Sequence, residues 1–316
     1  MKFRKFLDNF VLVFALISFF GFFLIFTQIF SGNLEKFVLG KNAYSVSNIS
    51  ASLEIFTINT ESAYLQELND SNEKVLFTKN ENKVLPIASL TKLVSAMIVI
   101  DNIKLDEKII ITKDIEDWQE IKTIKSGEVF TAGNLLKTSL IESNNSAIIA
   151  LSDIIGQEKF VELMNIKAKE IGLAETRFFN ETGLDLKVND IYESNYSTAK
   201  DLARLVKYIL QNYPEIFEIT KEKDILLPVS PKLASEGGCD VNNENCRVVK
   251  NTNKLLISDN LGNRILGGKT GETKIAGGCL LLVLNSKNNE DILISVVLNS
   301  QNRFIDTEKI INKYGD

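Results

Sequence analysis

From Phe10 to Phe30 the chain carries no charged side chain, and Phe, Leu, Ile and Val dominate the run. A helix of that length rises roughly 30 Å, the thickness of the hydrocarbon core of a bilayer. The run therefore divides the chain into a basic start at 1–9, an apolar segment at 10–30 and a remainder that has to fold on its own. Lys2, Arg4 and Lys5 precede the segment, so the positive-inside tendency keeps residues 1–9 in the cytoplasm and sends everything beyond about residue 31 outside. A cleaved signal peptide shares the basic start, but its apolar region is usually about 7–15 residues and ends in a small-x-small site. Here the run is longer and no clear Ala-x-Ala follows, which favours a retained single-pass transmembrane anchor. In either case the folded part is exported and extracytoplasmic.

Residues 31–50 are polar and mixed and read as a linker, leaving 51–316 for the folded domain. With 45% apolar and 24% charged residues the chain is globular in type, and a net charge of -5 with dispersed lysines gives no reason to expect nucleic-acid binding. There is no histidine at all. That removes His-based triads, Cys–His pairs and His-ligated metal sites, so serine chemistry here needs another base, for which lysine is the natural choice. No metal or cofactor is expected. Cys239 and Cys246 flank a polar segment and suit either a loop disulfide in an oxidising compartment or two unpaired thiols, while Cys279 sits in an apolar run as a core residue.

Ala63–Leu68 and Lys74–Thr78 are short extended patterns around Asn-Asp-Ser-Asn-Glu, which predicts a hairpin. Ala88–Ile100 is largely apolar with Pro86 ahead of it, which predicts a buried helix opened by Ser89. Further helical patterns cover 133–142, 145–155, 158–171 and 198–212; strand patterns return at Arg264–Thr270, Gly278–Asn285 and Ile292–Asn299, and a helix at 304–314 closes the chain. Strands at both ends with helices between predict an α/β (α+β) unit: an antiparallel sheet flanked by helices, with a helical lobe inserted.

Ser-x-x-Lys brings a hydroxyl and an amine onto one helix face. The pattern occurs at Ser71, Ser89 and Ser197, and only the Ser89 copy, with Lys92, opens an apolar helix. Burial matters, because a neutral lysine at pH 7 lies about 3 units from its ordinary pKa, a penalty of roughly 4–5 kcal/mol. Desolvation, a helix N-terminus and a second cation all push that way. Ser-x-Asn recurs five times, but Ser143-Asn144-Asn145 alone sits between two helical patterns, where a loop presents a hydroxyl and a carboxamide to a cleft. Lys269-Thr270-Gly271 occurs once, at the end of a strand pattern among small residues that let a substrate backbone lie along the edge. A Lys-Ser-Gly variant at Lys125 lacks the strand.

These three elements in this order resemble the signature of serine β-lactamases and penicillin-binding proteins. The resemblance reaches further, to the low-molecular-weight D-alanyl-D-alanine carboxypeptidases of the β-lactamase/transpeptidase-like fold. It is carried by Pro86-Ile-Ala-Ser-Leu-Thr-Lys92, by Gly172-Leu-Ala-Glu-Thr-Arg-Phe-Phe-Asn-Glu-Thr-Gly-Leu184, by Ser197-Thr-Ala-Lys-Asp-Leu-Ala203 and by Lys269-Thr-Gly-Glu-Thr-Lys-Ile-Ala-Gly277, and spans about residue 60 to the C-terminus. Asn144 stands where the family commonly has Gly. Family members often continue into a β-rich domain and an amphipathic helix; this chain stops at Asp316, and the N-terminal segment is expected to supply membrane attachment.

The resemblance implies a cell-wall hydrolase that trims the terminal D-alanine from peptidoglycan stem peptides, with β-lactam antibiotics as covalent inhibitors. Ser89 would be the nucleophile and Lys92 its base. Ser143 would relay a proton to the leaving amine, positioned by Lys92 and Lys269, and Asn145 would bond the substrate amide. The backbone N–H groups of Ser89 and Glu272 would form the oxyanion hole. Lys269 and Thr270, beside Gly271 and with Arg303, would receive the terminal carboxylate. Three other readings stand beside it: a D,D-endopeptidase on cross-links, which uses the same residues, a class A-like β-lactamase, and an inactive peptidoglycan-binding protein, against which the intact Ser89, Lys92, Ser143, Asn145 and Lys269 argue. The β-lactamase needs a Glu-x-x-Leu-Asn segment after the second motif, where this chain reads Asn180-Glu-Thr-Gly-Leu.

Overall fold

A computed structural model of the chain describes residues 56–69, 72–117, 123–228, 246–288 and 290–315. The apolar segment at 10–30, the linker, Ser71 and Cys239 lie outside the described residues. Among the described residues no helix is long and apolar enough to cross a membrane.

Five antiparallel strands make the main sheet: β1 (Thr60–Asn69), β2 (Asn72–Lys79), β3 (Ile265–Thr273), β4 (Gly277–Asn285) and β5 (Ile292–Ser300), in the order β3-β4-β5-β1-β2. The N-terminal hairpin therefore docks on the C-terminal meander, with Tyr64 opposite Val296. Six successive residues of β4, Cys279–Leu284, have no exposed surface, which requires cover on both faces of the sheet. β2 is the reverse case: it is an edge, and its Asn72, Glu73 and Lys74 face water, charge that discourages pairing with another chain.

Helix α1 (Lys92–Asn102) is buried from Lys92 to Val99 and forms the axis of the inserted lobe. Around it pack α2 (Ala132–Ile141), α3 (Asn145–Ile155) and α4 (Gln157–Ile171). Helix α5 (Ala199–Asn212) buries Leu202, Leu205, Val206 and Ile209, one stripe at helical spacing, and lies on β1 and β5, as does the closing helix α7 (Arg303–Tyr314). The short α6 (Glu215–Thr220) rests on β3. Strand pairs at Asp224–Pro228 with Cys246–Lys250, and at Leu186–Val188 with Ile191–Glu193, decorate the unit.

One expected element differs. The helix predicted to begin at Ala88 is a 3-10 turn over Ala88–Thr91 that hands over to α1 at Lys92. Ala88 has φ +47, left-handed for a residue with a Cβ, and a regular α-helix cannot start there. The change brings two side chains together, since residues three apart eclipse in a 3-10 turn and Ser89 stacks under Lys92.

Candidate active site

The seam between the helical lobe and strand β3 gathers the three motifs. Lys92 has no exposed surface and its Nζ donates to Ser89 Oγ at 2.9 Å, to Asn145 Oδ1 at 2.8 Å and to the carbonyl of Thr182 at 2.7 Å. Three acceptors match the three N–H donors of the ammonium; the neutral amine keeps two of them and can accept from the Ser89 hydroxyl with its lone pair. Desolvation brings its pKa down to about 7, against the pull of Glu181 in the other direction. Ser89 itself is only partly covered, so its hydroxyl is open to a ligand while the Lys92 amine is not.

Ser143 lies in the loop between α2 and α3 with φ +61. Its Oγ accepts from Lys269 Nζ at 2.8 Å, and the same amine donates to the carbonyl of Thr270 at 3.0 Å. Lys269 is 1% exposed; desolvation first, then the positive charges of Lys92 and Arg303, hold its pKa well below the ordinary lysine range. Two buried amines are thus joined to two serine hydroxyls, with Asn145 at the start of α3 tying the second motif to Lys92. Asn144 has ordinary extended backbone, φ -68 and ψ 124, and its Oδ1 caps α3 through Ala147 N at 2.9 Å. The left-handed residue of the loop is Ser143, so glycine is not needed at 144.

Strand β3 is pressed against the nucleophile turn. A Cβ on Gly271 would stand 3.0 Å from both Ile87 O and Ser89 N, so a side chain there would push strand and turn apart by a few tenths of an ångström. Glu272, the next residue, is exposed at the mouth, and Arg303 from the first turn of α7 is ion-paired with it. Thr270 Oγ1 is 2.5 Å from Thr252 Oγ1. Every site residue named from the sequence therefore lies at this seam, with Arg303 held through Glu272.

The residues that sequence reasoning did not single out come from the loop at 180–184. Asn180 Oδ1 accepts from Thr182 N, Thr182 Oγ1 and Gly183 N, at 3.1, 2.8 and 2.7 Å, and so curls the loop until the Thr182 carbonyl meets Lys92. Asn195 fastens the loop from outside, accepting from Phe179 N and donating to Asn180 O and Thr91 Oγ1. Ser95 Oγ, one turn along α1 from Lys92, holds the carbonyl of Glu181 at 2.7 Å. The signal was present: an amide, a small hydroxyl residue and a glycine in five positions mark a side-chain-stabilised turn. Gly183 has φ +84, and a Cβ there would sit 2.0 Å from Ala88 O. Glu181, the carboxylate of this stretch, is 5% exposed, and burial raises its pKa; among the described residues it has no hydrogen bond to Ser89.

Of the other Ser-x-x-Lys copies, Ser197 is buried and bonded to Thr176 Oγ1, with Lys200 exposed. Cys279 is a free, buried thiol, and Cys246 is disulfide-bonded.

The profile of the family described as D-alanyl-D-alanine carboxypeptidase matches residues 47–302. The chain is 33% identical over 257 residues to the D-alanyl-D-alanine carboxypeptidase DacC of Escherichia coli, covering 75% of this chain and 57% of that protein. It is 32% identical over 235 residues to a D-alanyl-D-alanine endopeptidase of the same organism, covering 72% and 68%. It thus spans less than two thirds of the length of the carboxypeptidase. The ampicillin-bound crystal structure of penicillin-binding protein D2 from Listeria monocytogenes superposes with a TM-score of 0.65 at 27% identity, covering 82% of this chain and 98% of that one. The profile match over residues 47–302 and these likenesses agree: the chain belongs to the D-alanyl-D-alanine carboxypeptidase family.

Proposed function

We propose that this chain is a serine-type D,D-carboxypeptidase that removes the terminal D-alanine from peptidoglycan stem peptides through an acyl-enzyme. The observation that carries the reading is the fully buried Lys92 amine, 2.9 Å from Ser89 Oγ and held near neutrality by desolvation. Ser89 attacks the carbonyl between the two alanines while Lys92 takes its proton. The proton that Lys92 took passes on to the leaving amine through the Ser143 hydroxyl, which Lys269 holds at 2.8 Å. Asn145 bonds the substrate amide. The backbone N–H groups of Ser89 and Glu272 receive the oxyanion, supported by the close approach at Gly271. Lys269, Thr270 and Arg303 take the terminal carboxylate. D-alanine leaves, and water releases the shortened peptide.

β-lactams enter the same cycle as covalent inhibitors, as the ampicillin complex of the Listeria relative supports. The apolar run at 10–30, with its basic start, supports a membrane-anchored, extracytoplasmic enzyme. Mass spectrometry after penicillin exposure tests the site: wild type gains one acyl group and Ser89→Ala gains none. An adduct that persists in Ser89→Ala removes that residue from its role. The likeness to a D,D-endopeptidase favours a second reading, cleavage of cross-links by the same residues. Digestion of purified muropeptides separates the two by whether D-alanine or a halved dimer is the product.

A further inference from the structure

Ser143 has a Cβ and yet holds φ +61, a conformation that persists only where the surroundings over-determine it. Its two neighbours in the chain supply the restraint. Asn144 Nδ2 donates to Glu142 Oε2 at 3.1 Å, a bond between side chains that bridges the intervening serine. Thr123 fills the angle of that bridge, donating to Glu142 Oε2 at 3.0 Å and accepting from Asn144 Nδ2 at 2.8 Å. Arg247 then closes it from a distant strand: Nη2 donates to Glu142 Oε2 and Nη1 to Thr123 O, each at 2.5 Å. The Arg247 and Glu142 side chains are 14% and 23% exposed, so water screens the pair poorly. Among the described residues, the Glu142 and Arg247 side chains bond to each other, to Thr123 and to Asn144, and not to Ser89, Lys92 or Lys269.

We propose that Glu142, Arg247, Thr123 and Asn144 form a positioning clamp that holds the Ser143 loop in its left-handed turn, and that the rate of acylation depends on it. The proposal rests on the catalytic reading above. The clamp matters because the two contacts that assemble the site from this side, Ser143 to Lys269 and Asn145 to Lys92, are both 2.8 Å hydrogen bonds from residues on either side of Asn144. If Glu142 loses its cation, the loop is free to relax toward negative φ, and both contacts lengthen together. Arg247 and Glu142 are positioning residues: they touch neither substrate nor reacting atoms.

The test is rapid-mixing acylation by penicillin, read as adduct stoichiometry and as rate constant per titrated site, for wild type, Glu142→Gln, Arg247→Met and the double variant. A purely structural role lowers the stoichiometry and leaves the rate per site alone. The clamp predicts full stoichiometry with the rate per site lowered about tenfold or more in each single variant, since small misplacements of reacting groups are costly. It also predicts a double variant within about twofold of the worse single, because the pair acts as a unit. Singles within about twofold of wild type, or a double variant whose losses multiply, would overturn it. Glu142→Gln keeps the side chain's shape, so it carries the test even if Arg247→Met does not fold. Wild type forming no adduct strikes the catalytic reading itself, a result distinct from a fast wild type with equally fast variants.

Discussion

The Lys92 amine has no exposed surface and meets three oxygen acceptors, and desolvation brings its pKa to about 7. In the unfolded chain the same amine keeps its proton to about pH 10.4. Between pH 7 and 10 the unfolded state therefore binds a proton that the folded state does not, and the contribution of this group to stability rises with pH through that window, by up to about 1.4 kcal/mol per unit. Thermal melts should show it: Lys92→Met should melt higher than wild type at pH 7, and the gap should narrow toward pH 10. A gap that does not depend on pH would mean that the amine is charged in the fold. Catalysis runs with the same sign. Acylation of wild type should rise as pH increases from 6 to 8, with an apparent midpoint near 7. A flat profile over that range counts against Lys92 as the base. Folding here gives up stability at neutral pH to bury an amine that loses its proton near pH 7.

At the scale of elements, the site is made where three segments meet more closely than ordinary side chains allow. The turn at Ala88–Thr91, the strand at Gly271 and the loop at Gly183 converge within van der Waals contact. Gly183→Ala should be severe, because its Cβ would overlap Ala88 O and because φ +84 is strained for alanine. We expect adduct formation to fall on the order of 100-fold as the Thr182 carbonyl leaves Lys92. Gly156 offers the control: it has φ +90 at the junction of α3 and α4, and a Cβ there meets nothing within 4 Å. Gly156→Ala should cost roughly 1 kcal/mol of stability and leave the rate of acylation unchanged. Equal rates in the two variants would show that the close approach at 183 has no part in the chemistry. The loop at 180–184 was legible only as a family-like stretch with turn residues. What it does, presenting one backbone carbonyl to a lysine 90 positions earlier, has no signature in side-chain pattern.

For the whole molecule, residues 58–316 make one compact unit in which the N-terminal hairpin completes a sheet begun by the C-terminal strands. A protein lacking residues 1–55 should therefore fold, remain in the soluble fraction and react with penicillin at the wild-type rate, while the full chain sediments with membranes. Recovery of the full chain in the soluble fraction would remove the anchor. Periodicity located α2, α3, α4, α5 and α7 and all five strands of the sheet to within a few residues, because apolar spacing is a property of the local chain. The absence of histidine and the order of three short motifs singled out Ser89, Lys92, Ser143, Asn145 and Lys269, and the fold brings these five together. Spacing alone did not show that α1 begins with a 3-10 turn, that Asn180 and Asn195 shape the carbonyl that meets Lys92, or that Arg247 braces Glu142 across 105 positions. Those depend on which segments the packed core brings together. The sequence by itself determined the chemistry available; the tertiary structure decided how dry Lys92 is and what holds it, since desolvation and hydrogen-bond geometry exist only once distant segments close around a group.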